Sequence, residues 1–272
     1  MTATSAVSSS AQQLQGVLEF YSALASEYSE QFADWPAEAL KQGGVLRDLI
    51  RRESPTARTV LDCACGIGTQ AIGLARAGFD VVGTDVCVET LERARRNASV
   101  LAPEIAFHES AFCELPHRVQ QQFDVVCCCD NALPHLLRDE EMVAALGAMR
   151  TRLVDTGLLI VSIRDYDDAR RRRADGTIPR MYNTANGPRI LFQIWEWKTE
   201  QVYRLQHFLM SWDGRHWRTQ QYSVDYRAVT RRELGRLIGE AGFHSPTWHM
   251  PEETGYHQPL VTARVERSRL RR

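Results

Sequence analysis

Residues 60–69 read VLDCACGIGT. The apolar pair Val60-Leu61 runs into Asp62, Cys63-Ala64-Cys65 follow, and Gly66 and Gly68 flank Ile67 before helical spacing begins at Thr69. Two glycines so placed let the backbone turn sharply and approach a ligand with no Cβ in the way. Strand, glycine turn and helix in succession open an α/β sheet, whose ligands bind beyond the carboxyl ends of the strands. Asp62 stands at such an end, placed to orient a ligand ammonium directly or through water. The next apolar run, VVGTD at 81–85, ends on Asp85. An acid about 17–20 positions beyond the glycine turn is placed to accept from two ribose hydroxyls.

Outward from this turn the periodicity predicts strands near 59–63, 80–84, 104–107, 123–129 and 157–163, separated by helices near 69–78, 87–100 and 139–153. Such alternation implies right-handed crossovers and a parallel sheet covered on both faces. Upstream, Leu14 to Ile50 has helical spacing, with a second helix starting at Pro36. Downstream of Ile163 the pattern changes. Residues 190–197, 202–210 and 216–226 read as consecutive antiparallel strands, and Asp213-Gly214 is a hairpin signal between the last two. Arg180 in GTIPRMYN reads either as a carboxylate ligand or as an exposed loop arginine. A helix over 230–241, capped by Thr230 and stopped by Gly242, precedes short strands near 246–250 and 259–265.

The expected fold class is α/β: a Rossmann-like, seven-stranded, mostly parallel sheet with an antiparallel β cap inserted after strand five. The corresponding division is an unstructured leader over 1–13, N-terminal helices and core over 14–164, the cap over 165–228, completion of the sheet over 229–266 and a frayed tail over 267–272.

Composition narrows the partners. The 272 residues carry 33 basic and 34 acidic side chains, a net charge of -1, which supplies no general drive toward nucleic acid or an anionic membrane. The Arg170–Arg173 run has no interleaved aromatics and reads as a solvated segment. Mean hydropathy is -0.34, and no apolar run approaches the ~18–20 residues of a membrane helix. The seven cysteines include the adjacent Cys127, Cys128 and Cys129 in an apolar run and form no CxxC pair. They read as small hydrophobes in a reducing, cytoplasmic setting rather than as a disulfide framework or metal site.

Gly66-x-Gly68-x-x-Ala71 also satisfies the dinucleotide fingerprint, so an NAD-dependent oxidoreductase is a rival reading. A dinucleotide loop presents amides to a pyrophosphate, which Asp62 would repel. With Asp62 and Asp85 both in register, the two motifs resemble those of class I methyltransferases that use S-adenosylmethionine. Within that superfamily the chain resembles the glycine/sarcosine N-methyltransferases and related small-molecule enzymes. The segment FYSALASEYSEQFADW at 20–35 is similar to their N-terminal helix, and CDNALPHLL at 129–137 to their loop after strand four.

The resemblance implies S-adenosylmethionine as cofactor, held by Tyr21, Tyr28, Trp35, Asp62, Ala64, Gly66, Gly68, Asp85, Val86, Ala111, Phe112, Asp130, Asn131 and His135. Ala111 departs from the pattern, because many relatives carry there an acid that holds the adenine amine; backbone groups near Ala111 and Phe112 are the substitutes. His135 is the candidate catalytic base; the alternative is a structural ring that packs on the cofactor or bonds backbone. The acceptor pocket is assigned to the cap and the segments around it, with Arg180, Tyr182, Trp195, Tyr203, Tyr226 and Tyr256 as candidates. Arg180 suits a carboxylate and the aromatics suit a developing ammonium. The expected reaction is methyl transfer to a small-molecule amine, amino acid-like or from a natural product, with O-methylation as the alternative. No metal is called for, and a homodimer stays open.

Overall fold

The computed structural model describes residues 3–265, with side chains from Ser10 onward. Its central sheet has seven strands in the order β10-β11-β5-β4-β1-β2-β3. β1 (Thr59–Cys63) lies between β2 (Asp80–Asp85) and β4 (Phe123–Cys128), parallel to both. β3 (Ala106–Glu109) and β5 (Leu153–Ser162) extend the parallel run on either side. β11 (Leu260–Val265) then enters antiparallel beside β5, and β10 (Phe243–His249) pairs antiparallel with β11.

Helices cover both faces: α1 (Ala3–Leu24), α2 (Trp35–Glu53), α3 (Thr69–Arg76), α4 (Val88–Leu101), the short α5 (Leu115–Arg118), α6 (Asp139–Thr151), α7 (Tyr166–Arg172), α8 (Arg231–Glu240) and the short α9 (Pro251–Thr254). Local chemistry starts them where it should. The Asp34 carboxylate accepts from Ala37 N at 3.0 Å to cap α2, with Pro36 in its first turn. Thr230 and Glu233 form a reciprocal capping box on α8. α2 and α3 cross with their backbones touching, since a Cβ on Gly43 would lie 2.2 Å from the Gly73 carbonyl carbon.

The cap is a second sheet of four strands in the order β6-β7-β8-β9: β6 (Arg180–Thr184), β7 (Gly187–Trp197), β8 (Val202–Trp212) and β9 (Trp217–Arg227). Its inner face alternates regularly, and Trp195, Tyr203, Leu205, Val224 and Tyr226 join the same core as Leu61, Val126 and Leu159 of the central sheet. The β8–β9 hairpin turns at Asp213-Gly214: the Asp213 carboxylate accepts from the amides of Arg215 and His216 at 2.9 Å, and Gly214 has φ +96°.

Several expectations shift. Helix α1 reaches back to Ala3, into the segment expected as an unstructured leader. It is fastened by Ser10 Oγ to Glu141 at 2.6 Å and by the Gln13 amide to the carbonyls of His135 and Asp225 at 3.1 and 3.0 Å. The expected tail at 267–272 lies outside the described residues. Residues 180–184 form a strand rather than a loop because β7 offers them a free edge; in isolation RMYNT lacks a clear alternation. β10 starts earlier than expected and carries a bulge at Ser245, φ +52°, where the apolar alternation fails. Residues 125–129 are buried, with Cys127, Cys128 and Cys129 packed as small apolar groups. Among the described residues no helix is long and apolar enough to cross a membrane.

Candidate active site

The glycine turn is held by the acid that follows it. Gly66 N donates to Asp85 Oδ2 at 2.8 Å, while Oδ1 accepts from Cys87 N at 2.9 Å and Thr90 Oγ1 at 3.3 Å. Ala64, Gly66 and Gly68 all have positive φ (62°, 54° and 89°), and a Cβ on Gly66 would point into open space. The turn therefore leaves its outer side bare while its position is set by the end of β2. Burial raises the Asp85 pKa against these hydrogen bonds.

Asp62, one layer beneath, is fully enclosed. Its Oδ1 accepts from the Cys127 thiol at 3.5 Å, and Oδ2 has no hydrogen-bond partner among the described residues. Burial drives its pKa up to about 8. A buried carboxyl in that condition is stabilised by any cation brought to its free oxygen.

Beyond the turn lies a cavity of about 380 Å³. Of the fourteen residues expected around a cofactor, ten line it: Tyr21, Tyr28, Ala64, Gly66, Asp85, Val86, Ala111, Phe112, Asp130 and His135. The rest sit behind it. Trp35 donates from Nε1 to Thr69 Oγ1 at 3.0 Å and packs in the core under α3. Gly68 caps α3. Asp62 backs the turn. Asn131 is buried, with Nδ2 donating to Tyr166 OH at 2.9 Å and Oδ1 accepting from Arg164 N at 3.1 Å. Ser110 and, from α1, Gln13, Leu14 and Val17 line the cavity without having been anticipated. The apolar spacing of α1 marks a buried face but not what that face covers.

His135 lies where the cavity meets the cap. Its Nε2 is 2.9 Å from Tyr21 OH and its ring centroid 4.1 Å from that of Tyr226. Burial, reinforced by the Arg164 charge, lowers its pKa to about 3. A ring so placed stays neutral and is a poor proton acceptor near neutrality.

The expected acceptor residues divide. Trp195, Tyr203 and Tyr226 stack in a row, with centroid spacings of 4.8 and 5.8 Å. Tyr256 lies elsewhere: it props Asp130 from behind, donating to Oδ1 at 2.9 Å. Arg180 and Tyr182 stand on β6, away from that row; Tyr182 OH donates to Glu30 O at 2.7 Å, and Arg180 is exposed. The residue that completes the aromatic row is Arg164, which the sequence reading passed over. Its Nη1 donates to Tyr203 OH at 2.9 Å, and its guanidinium carbon lies 5.2 and 5.3 Å from the Trp195 and Tyr226 rings. It makes no ion pair among the described residues. The available signal was its position, two residues past the end of β5, where open α/β sheets place ligand-binding groups.

Comparison with known proteins places this geometry. Residues 60–157 match a family described as a methyltransferase domain. Over 149 residues the chain is 31% identical to a glycine/sarcosine N-methyltransferase of Aphanothece halophytica, covering 52% of this chain and 56% of that protein. A dTDP-3-amino-3,6-dideoxy-alpha-D-glucopyranose N,N-dimethyltransferase of Streptomyces fradiae is 28% identical over 121 residues, covering 44% and 45%. The chain spans about half the length of the curated relatives it matches. Among solved structures it superposes on SAM-bound CalS10, an amino pentose methyltransferase from Micromonospora echinaspora, with TM-score 0.71 and 22% identity over 88% of this chain and 94% of that one. Residues 60–157, the glycine turn included, thus match a methyltransferase domain, and the chain shares the fold of the methyltransferase on which it superposes.

Proposed function

We propose that the protein transfers a methyl group from S-adenosylmethionine to the amine of a small acceptor that also carries a carboxylate. The observation that carries the acceptor half is Arg164: a half-buried guanidinium with no carboxylate partner among the described residues, at the junction of cofactor cavity and cap. Burying an unpaired charge is costly. A carboxylate brought by the acceptor would meet it bidentately.

The residues present fit the cofactor. When bound, S-adenosylmethionine supplies a sulfonium-activated methyl group. Asp62 Oδ2, buried and unpartnered, suits an ammonium, and the Asp85 carboxylate keeps lone pairs for ribose hydroxyls. Ala111 leaves the adenine edge to backbone groups and to the Phe112 ring, both on the cavity wall.

For the transfer itself the chain's task is alignment and exclusion of water. Arg164 fixes the acceptor by its carboxylate, turning the amine toward the cavity. The Trp195 and Tyr226 rings, 5.2 and 5.3 Å from the guanidinium carbon, hold Arg164 in place for that contact, an attraction worth about 0.5–2 kcal/mol. His135, held neutral, leaves selection of the unprotonated amine to the dry pocket. A hydroxyl acceptor would need a base stronger than this ring, which weighs for nitrogen over oxygen.

The test is mass spectrometry of purified protein with S-adenosylmethionine and a panel of amino acids and carboxylate-free amines. Gain of one methyl on an amino acid is the expected product. Calorimetry that finds no binding of either S-adenosylmethionine or S-adenosylhomocysteine to folded protein would overturn the reading.

A further inference from the structure

The cap's inner face holds two buried polar atoms that no described residue satisfies, His207 Nε2 and Gln220 Oε1. Their neighbours fix the chemistry of both. The Trp195 indole N–H can only donate, and it lies 3.2 Å from Gln193 Oε1. The Gln193 amide nitrogen is thereby left to donate to His207 Nδ1 at 3.3 Å. The His207 proton must then sit on Nε2, making that atom an N–H donor. The ring is 2% exposed and neutral near physiological pH, since burial and then Arg164 and Arg180 lower its pKa to about 4. Gln220 is fixed in the same manner. Its amide nitrogen donates to the Glu27 carboxylate at 2.6 Å, so Oε1 is a bare acceptor.

His207 pairs across the sheet with Tyr222 and Leu209 with Gln220, so His207 and Gln220 are diagonal neighbours on one face. Diagonal Cβ atoms are about 7–8 Å apart or somewhat less, within reach of long side chains. One donor and one acceptor at that spacing are met together by a hydroxyl, which accepts from the first and donates to the second. We infer that His207 and Gln220 read a hydroxyl group on the acceptor, remote from its carboxylate and amine. This rests on the amine-transfer reading above.

The spacing also sets a length. Trp195 lies under Arg164, and Gln193 and His207 form the next row of the same face. Two residues along a strand advance about 7 Å. Glycine cannot span from Arg164 to that row, whereas an amino acid with a hydroxyl at the end of a longer side chain can.

The experiment compares matched acceptors differing by one hydroxyl: L-tyrosine with L-phenylalanine, and 5-hydroxynorvaline with norvaline. The hydroxylated member of at least one pair should show a kcat/KM about tenfold higher or more. His207→Phe should bring that ratio near one. Should His207→Phe fail to fold, Gln193→Glu serves in its place. Its carboxylate cannot donate to Nδ1, so the imidazole proton moves to Nδ1 and the preference is lost. Nitrogen-15 NMR of the protein with S-adenosylhomocysteine reads the tautomer directly, with the proton expected on Nε2 in the wild type. Equal kcat/KM within both pairs, or a wild-type proton on Nδ1, would overturn the inference. If no amino acid is methylated, the amine-transfer reading fails, and the His207 Nε2–H resonance still decides the hydroxyl site. A shift with the hydroxylated member alone supports it, and no shift with either member overturns it.

Discussion

Glu30 and Arg189 meet 3.1 Å apart, joining the turn that follows α1 to the second strand of the cap. Glu30 also accepts from Thr184 at 3.1 Å and Asn186 at 2.7 Å, so one carboxylate gathers the whole β6–β7 hairpin. Two residues before Glu30 stands Tyr28, on the cavity wall. Arg189→Ala should therefore loosen the cap and the cofactor cavity together. Leaving the half-buried Glu30 without its arginine partner should cost about 1 kcal/mol of stability, read by urea denaturation. Affinity for S-adenosylhomocysteine should fall in the same variant although Arg189 does not line the cavity. Unchanged affinity would show that the clasp serves the cap alone.

Asp85→Ala removes the carboxylate that fastens Gly66 and leaves the Gly66 and Cys87 amides short of an acceptor. Cofactor binding should weaken by about 1–3 kcal/mol. Titration calorimetry measures this, and wild-type affinity would remove Asp85 from the cofactor site.

Arg164→Met should separate acceptors by charge. For an amino acid acceptor, loss of a charge-assisted contact worth about 1.5–3 kcal/mol corresponds to a KM roughly ten- to a hundredfold higher. A carboxylate-free amine should be unaffected or improve. Equal losses for both classes would indicate that Arg164 only supports the aromatic row.

The Asp62 carboxyl makes binding proton-linked. Its pKa of about 8 in the folded, ligand-free protein lies above the ordinary carboxylate value of 3.8. The folded state thus holds a proton that the unfolded state releases, and this group's stabilisation is full below pH 3.8 and lost as pH rises toward 8. An ammonium brought to Oδ2 favours the charged form, so S-adenosylmethionine binding at pH 7 should release up to one proton. Calorimetry in buffers of different ionisation enthalpy counts it. Asp62→Asn should abolish the release, and a release that persists in that variant would assign the proton to another group.

The sheet and its turn were legible because their signals are local. Asp62, Gly66 and Asp85 are each placed by the strand–turn unit on which they stand, although their hydrogen bonds cross to neighbouring strands, and β1, β2 and β4 form where apolar runs end in polar residues. Arg164 was harder to see. Its significance lies in having no carboxylate partner among the described residues, and such an absence is a property of three-dimensional surroundings. Trp35 and Asn131 illustrate the converse. Both lie in segments that resemble cofactor-facing ones, yet a hydrogen bond to Thr69 turns the first inward and the Tyr166 hydroxyl claims the second. Strand β6 depended on an edge supplied by β7, which no reading of residues 180–184 alone reveals. Tyr256 was placed in the acceptor pocket because its loop is polar, whereas its hydroxyl is used to position Asp130.

The contact between Gly43 and Gly73 reaches further than its place on the far side of the sheet suggests. A methyl group on Gly43 would fall 2.2 Å from backbone carbon, and one on Gly73 would fall 2.2 Å from the Ala39 carbonyl oxygen. Neither neighbour is a side chain that can swing aside. Because α3 begins at Thr69, directly after the glycine turn, α2 acts as a mechanical stop against which that turn is indexed. Alanine at either position would shift the turn from behind, and a change touching no ligand atom would be felt first as lost grip on the cofactor.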